Sequence, residues 1–443
     1  MQTSRVTRRA LLKSTAATGA LGAAGTLPAR LAFGQEGEPV YFAAWAAAVD
    51  QVLAHLSGFE EATGIDVEYE NAPPAAFRDT LITKFVGGAP LDVLWVNDAW
   101  LPEFAEAGWI VPVDEYDQLM QYNTYFDQYC IDSMTYQGRQ YGLVYYTDFM
   151  AFLYNEEMLE QAGIAAPPET WQEVVEQSLI IKEKGLCEFP LLLSLEADAW
   201  LIEFVSTLVF SFGGRFVDDD GYSVLADPKG GAVAALKWVQ DAIHTHGIVS
   251  PGAVSTQEIA GLKAFGAGQH AFGIIPRYRI RPLNNPEESQ VPGNVRLALM
   301  PSGPEGNHNT CGWVRFWGVT PQALESEAKA GNAVKLIEWF GGQANGEFVF
   351  QKMLMLDIGV PYCTTPLNED PDIIAFYNEY LGGPELVSQQ GALAIKKDTV
   401  TPWFGEWNEV NNRAWQKGFL NEASAKEALA ESAETWNDLK DSY

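Results

Sequence analysis

Between residues 40 and 107 the chain alternates strand-like apolar runs with helix-like amphipathic runs, three times over. Residues 40–45 read as a buried strand. Residues 49–63 read as a helix, and Gly64 ends it because glycine accepts left-handed backbone angles without strain. Residues 65–69 alternate apolar and polar side chains, the period of a strand. A helix over 75–86 stops at Gly87-Gly88, 91–96 form a third strand, and 101–107 a third helix. This βαβαβα rhythm predicts an α/β fold whose open, largely parallel sheet carries helices on both faces. A second unit begins near Met150. Residues 151–154 form a strand, Thr170 and Glu173 open a helix as a capping box, and 189–193 form another strand. Helix patterns such as 333–340 and 425–439 dominate the final part. A chain of 443 residues exceeds what one hydrophobic core serves, so two lobes are expected. No low-complexity linker separates them, so ordered segments of chain must cross from one lobe to the other.

Open parallel sheets bind ligands at the carboxyl ends of their strands, and two-lobed proteins bind them in the cleft between lobes. Trp45, Asn71 and Asn97-Asp98 follow the first three strands. Tyr145-Tyr146-Thr147-Asp148 precedes the strand near Met150, and Arg277-Tyr278 follows the apolar run Phe272-Gly273-Ile274-Ile275. These are the first candidates for ligand contact.

The N-terminus reads as a signal for export out of the cytoplasm. Thr7-Arg8-Arg9-Ala10-Leu11-Leu12-Lys13 matches a twin-arginine export signal, and residues 14–29 after it carry no charge. Ala32-Phe33-Gly34 offers small residues for cleavage before Gln35, so residues 1–34 are expected to be a signal peptide. No Cys follows to take a lipid anchor. No later run approaches the ~18 apolar residues of a spanning helix, and the best candidate, 201–212, contains Glu203. The mature chain is expected to be soluble, periplasmic or otherwise extracytoplasmic, and monomeric. Its formal net charge of −30 repels nucleic acid and anionic lipid alike.

Signatures of catalysis and metal binding are lacking or fail on context. Gly266-Ala267-Gly268-Gln269-His270-Ala271 has dinucleotide-fingerprint spacing, but a helix precedes it and a strand follows, the reverse of what that fingerprint needs. No P-loop, HExxH pair or GxSxG elbow is present. Asp218-Asp219-Asp220-Gly221 lacks the later Glu of a calcium loop and reads as a solvated turn. His244 and His246 are two apart on a helix, so they point in different directions. Cys130, Cys187, Cys311 and Cys363 are isolated, which argues against zinc and leaves both disulfides and buried free thiols open. No cofactor and no metal is expected.

Several stretches taken together resemble the extracellular solute-binding proteins of carbohydrate ABC importers, the family related to maltose-binding protein. They are Ala89-Pro90-Leu91-Asp92-Val93 running on to Ala107-Gly108-Trp109 and Ile110-Val111-Pro112-Val113-Asp114; Gly138-Arg139-Gln140-Tyr141-Gly142 leading to Leu153-Tyr154-Asn155; Pro168-Glu169-Thr170-Trp171; Phe212-Gly213-Gly214; Cys311-Gly312-Trp313; Thr401-Pro402-Trp403-Phe404; and Ser424-Ala425-Lys426-Glu427-Ala428-Leu429. One departure is Val144, where members usually carry Pro. The resemblance implies a two-lobed periplasmic-binding-protein fold with discontinuous lobes, a hinge of crossing segments and a ligand cleft between lobes. Lobe 1 would take 38–148 and 318–378, and lobe 2 would take 149–317 and 379–443. It further implies a receptor that captures a sugar, oligosaccharide or polyol and delivers it to ABC permease subunits. Asp98 and Asp148 would accept hydrogen bonds from sugar hydroxyls, with Tyr146 beside them; for Asp98 a helix-capping role is the alternative. Gly312 would meet the ligand, and Trp45, Trp200, Trp313 and Phe404 would stack on sugar rings or else pack the core. Arg277 and Tyr278 stand where maltose-binding protein presents a stacking Trp. Arg277, Arg279 and Arg315 would meet an acidic solute or else form salt bridges. A secreted glycosidase and a receptor for a non-sugar solute remain the alternative classes.

Overall fold

A computed structural model of the protein describes residues 39–228, 230–304 and 307–443. The expected signal peptide, 1–34, lies outside the described residues. Strands β1 (Val40–Trp45), β2 (Val67–Ala72) and β3 (Val93–Asn97) alternate with helices Val49–Thr63 and Pro74–Gly87. The first helix ends at Gly64 in the left-handed region, with φ 71°, as the sequence requires. β1 pairs in parallel with both β2 and β3. A small hairpin of β4 (Thr135–Tyr136) and β5 (Arg139–Gln140) leads into β6 (Gly142–Asn155). The remaining strands are β7 (Leu191–Leu192), β8 (Phe272–Pro276), β9 (Val295–Ala298), β10 (Thr310–Val319) and β11 (Ala394–Lys396). One sheet runs β2-β1-β3-β10-β6-β8-β7, with β11 beside β10 and β9 beside β6.

Two expectations need correction. The sheet is mixed, because β10 runs antiparallel to β3 and β6, and β8 and β9 run antiparallel to β6. The geometry follows from the path of the chain. β6 leaves the half built on β1–β3 for the half built on β7–β9, and β10 returns. Two strands crossing the same junction in opposite senses can pair only as antiparallel neighbours. The second correction concerns residues 145–148. They do not precede a separate strand at 151–154; both stretches belong to the single 14-residue strand β6. Val144 pairs with Phe316 beside a register shift in β10, within a strand where Pro would offer no backbone donor. Every residue of β10 is buried, which fits a strand covered on both faces.

Other local signals behave as read, except that the capping box at Thr170 is only half formed. Helix Glu258–Gly266 precedes 266–271 and β8 follows, so the fingerprint spacing sits in the wrong context for a dinucleotide. Asp218 closes its own turn by accepting from the backbone N–H of Asp220 and Tyr222. The Thr170 hydroxyl caps the Glu173 N–H, while the Glu173 carboxylate reaches Glu169 N–H rather than the cap residue itself. His244 lies against the carbonyl of Phe419 at 2.8 Å, a structural contact.

The core under β1 and β10 is aromatic, and it encloses His55. Phe340 and Phe350 flank the imidazole at 4.9 Å each, and its Nε2 lies 2.8 Å from the Trp339 carbonyl. Burial pushes its pKa down from 6.5 to about 4, only partly offset by that carbonyl. The fold therefore favours the neutral ring, whereas the unfolded chain takes up a proton near 6.5. Stability is complete above that pH and falls as pH drops towards 4. The loss attributable to His55 is expected to reach roughly 2–3 kcal/mol at pH 4. Urea titrations of the wild type and of His55→Gln at pH 7.5 and pH 4.5 measure it. The variant should show a shallower pH dependence, and equal slopes would refute the assignment. Burial lowers His270 in the same direction, so it adds to the wild-type slope and persists in the variant.

Candidate functional site

The end of β3 places Asp98. Asn97 Oδ1 accepts from Ala99 N–H at 3.0 Å and turns the chain into the short helix Asp98–Trp100. That turn aims the Asp98 carboxylate at β10. Oδ2 accepts from the backbone N–H of Val314 at 3.0 Å, and Oδ1 accepts from Arg315 Nη1 at 2.8 Å. Two further groups close a buried cluster. Arg315 Nη2 and Lys397 Nζ each donate to Glu203 Oε1 at 3.3 Å, and Lys397 Nζ lies 3.8 Å from Asp98 Oδ1. All four side chains are at most 3 % exposed. Burial works to raise the Asp98 pKa, but Lys397 and Arg315 together hold the carboxyl below its ordinary range. Lys397 is held protonated in turn: burial opposes the charge, and Asp98 and Glu203 outweigh it. The two cations and two carboxylates cancel.

Tryptophans wrap this cluster. The Arg315 guanidinium lies 5.6 Å from the Trp313 ring and 5.8 Å from Trp95. Trp95 stacks on Trp45 at 4.5 Å, and Trp200 meets Trp313 edge-on at 5.7 Å. Trp313 is fully buried, while Trp45 and Trp200 remain partly exposed. Gly312 is required where it stands, since a Cβ there would lie 2.7 Å from the Tyr129 hydroxyl. Polar atoms buried around the cluster without a hydrogen-bond partner include Glu203 Oε2, Arg315 Nε, the Tyr129 hydroxyl and the indole nitrogens of Trp95 and Trp313. Such atoms cost stability on the order of 1–3 kcal/mol each, so they stand out in a folded core.

A second buried pair lies further along β6. Arg277 Nε donates to Asp148 Oδ1 at 2.8 Å, and the backbone N–H of Tyr278 donates to Oδ2 at 3.2 Å. The guanidinium sits 4.7 Å from the Phe149 ring. Arg279 is bidentate to Glu258 at 2.9 and 3.0 Å. Tyr146, opposite Arg315 in the sheet, feels the charges of Arg315 and Asp148 and so stands between the two groups.

The fold thus gathers Asp98, Gly312, Trp313, Trp200 and Tyr146 at the junction of the two sheet halves, with Trp45 joined through Trp95. Asp148, Arg277 and Tyr278 form the neighbouring group. Phe404 stays apart, buried beside Trp407 at 6.3 Å, although its helix, Phe404–Phe419, packs on the turn that carries Asp98. Sequence reasoning missed Glu203, Lys397, Trp95 and Tyr129 as members of the site. Glu203 had a readable signal, a lone carboxylate in the apolar helix Leu201–Ser211, because a fully buried charge requires a partner. Among the described residues, no group of three or more His, Cys, Asp or Glu could hold a metal ion, and no helix is long and apolar enough to cross a membrane.

Two sheet halves joined by crossing strands, with a tryptophan-lined polar site at the crossing, define a two-lobed binding-protein fold. The model of the bacterial extracellular solute-binding protein family matches residues 36–347, and the chain belongs to that family. A binding protein of Brucella abortus is 23 % identical over 380 residues, covering 84 % of this chain and 85 % of the relative. Maltose-bound T. maritima MalE3 superposes with a TM-score of 0.79 at 22 % identity, covering 90 % of this chain and 99 % of that structure. The ABC-transporter solute-binding protein of Agrobacterium radiobacter K84 in complex with ribitol reaches 0.76 at 17 % identity, covering 91 % and 99 %. These likenesses bear out the expected α/β, two-lobed fold.

Proposed function

We propose that this protein captures a neutral sugar or polyol at the tryptophan-lined junction and delivers it to the permease of an ABC importer. The observation that carries the reading is the balanced charge of the site in a chain of the solute-binding family. Each arginine that could have met an acidic solute is already paired: Arg315 with Asp98 and Glu203, Arg277 with Asp148, Arg279 with Glu258. A net anion placed there would meet arginines that already have carboxylate partners, whereas hydroxyl groups can both donate and accept beside fixed ion pairs. Indole faces supply the apolar surface that the C–H face of a sugar needs. The relatives with bound maltose and bound ribitol lend support from ligands of the same chemistry. The lobes in this reading are 38–148 with 318–378 and 149–317 with 379–443, and the chain is exported by its twin-arginine signal and acts as a monomer. The protein is read as a receptor rather than a glycosidase, because the family it belongs to is one of solute-binding proteins.

Thermal-shift titration tests this. Neutral sugars, alditols, uronic acids and amines are screened at equal concentration. A neutral polyhydroxyl compound should raise the melting temperature progressively with concentration. A shift confined to acids or amines would overturn the reading.

A further inference from the structure

Two of the four cysteines have been brought together by the fold, although 233 positions separate them in the chain: Cys130 in helix Gln128–Ser133, and Cys363 in the segment after helix Val349–Ile358. Both are buried, and all four thiols are free. The backbone sets the approach. Phe126 and Thr364 form an antiparallel bridge, and Asp127 N–H donates to the Cys363 carbonyl at 3.3 Å. The carbonyl of the same Asp127 accepts from Cys130 N–H at 2.9 Å. One residue therefore ties both cysteine backbones, and the two thiols lie close enough to influence each other. Cys187 and Cys311 have other surroundings. Cys311 points its thiol at the Gly312 carbonyl, and Cys187 lies near Lys182.

We propose that Cys130 and Cys363 are an oxidation site that closes to a disulfide once the chain is outside the reducing cytoplasm. Two S–H bonds break and one S–S bond forms. The two electrons and two protons pass to an external disulfide, such as oxidised glutathione or an oxidoreductase, which leaves as two thiols. Burial, then the neighbouring Cys130 thiol, raises the Cys363 thiol well above its usual range, so the exchange requires a transient opening or takes place during folding. Folding before export would take place with both thiols free. The bond would clamp two elements that border the candidate site. Helix Gln128–Ser133 carries Tyr129, whose hydroxyl faces Gly312. The segment before Cys363 carries Tyr362, whose hydroxyl lies in the field of Arg277, and Gly359, which packs on the backbone of Tyr278.

The experiment uses the full mature chain, both native and refolded from urea, in a glutathione redox buffer. Denatured thiols are counted by maleimide labelling, and peptides are mapped by non-reducing mass spectrometry. The expected result is loss of two of the four thiols, a linked peptide joining Cys130 to Cys363, and a melting temperature higher by a few degrees, reversed by dithiothreitol. Cys363→Ser should abolish both the linked peptide and the dithiothreitol-sensitive shift. Four free thiols in both preparations, or a link between any other pair, would overturn the proposal. The mass-spectrometric result on the wild type decides it even if the variant folds poorly.

Discussion

Replacing Arg315 with Met should destabilise the protein by about 3–5 kcal/mol, the cost of removing one partner from a buried ion cluster. The substitution keeps most of the side-chain volume, so the loss is electrostatic. Arg315 stands between Asp98 on one side and Glu203 on the other, at 2.8 and 3.3 Å. Without it, Lys397 is the cation left in contact with the two buried carboxylates, and Asp98 keeps only backbone donors, Val314 N–H at Oδ2 and Ala99 N–H at Oδ1. Equilibrium urea unfolding at pH 7 measures the loss as a fall in midpoint at unchanged slope. Adding Glu203→Gln should recover part of it, because the double variant has one unpaired charge fewer. That non-additivity is what a shared network produces. A cost below about 1 kcal/mol for the single change would mean the cluster is hydrated and weak, as exposed ion pairs are.

The second large effect concerns ligand affinity. On the proposed reading, Trp200→Ala should weaken solute binding roughly 10- to 100-fold, equivalent to about 1.5–3 kcal/mol of lost apolar contact. Trp200 is the test residue because it is partly exposed while sitting edge-on to the buried Trp313. Its removal leaves the core under β10 in place, so the melting temperature without solute should change little. Trp313→Ala is the contrasting variant. It empties a fully buried site and should cost about 3–5 kcal/mol of stability whether or not a solute binds there. Isothermal titration calorimetry with the compound found by thermal shift separates the two. Unchanged affinity in Trp200→Ala would remove that ring from the site.

Much of the architecture was legible along the chain. The helix Val49–Thr63 was readable to the residue, because amphipathic period and a terminating glycine are local properties. The strand ends that carry Trp45 and Asp98 were readable for the same reason, and so was the rejection of the fingerprint at 266–271. The long strand β6 was not. Its tyrosines and Asp148 look like a loop between two elements until β10 lies alongside and pairs with them. The parallel bias failed likewise, since strand direction depends on where a returning strand enters the sheet.

The charged site shows the same division most clearly. Residue types and their local period established that the chain alternates strands and helices, that Asp98 follows a strand, and that Glu203 is a lone charge within an apolar helix. They also carried the family motifs from which a binding receptor was inferred. The pairing itself depended on the packed fold. Arg315 lies 217 residues from Asp98 and 112 from Glu203, and Lys397 lies 194 from Glu203. No local rule links such positions. A buried charge is tolerable only with its counter-charge beside it, and here the partners meet because β3, β10, the end of β11 and helix Leu201–Ser211 converge on one buried junction. That convergence gave three arginines that could have met an anion carboxylate partners of their own.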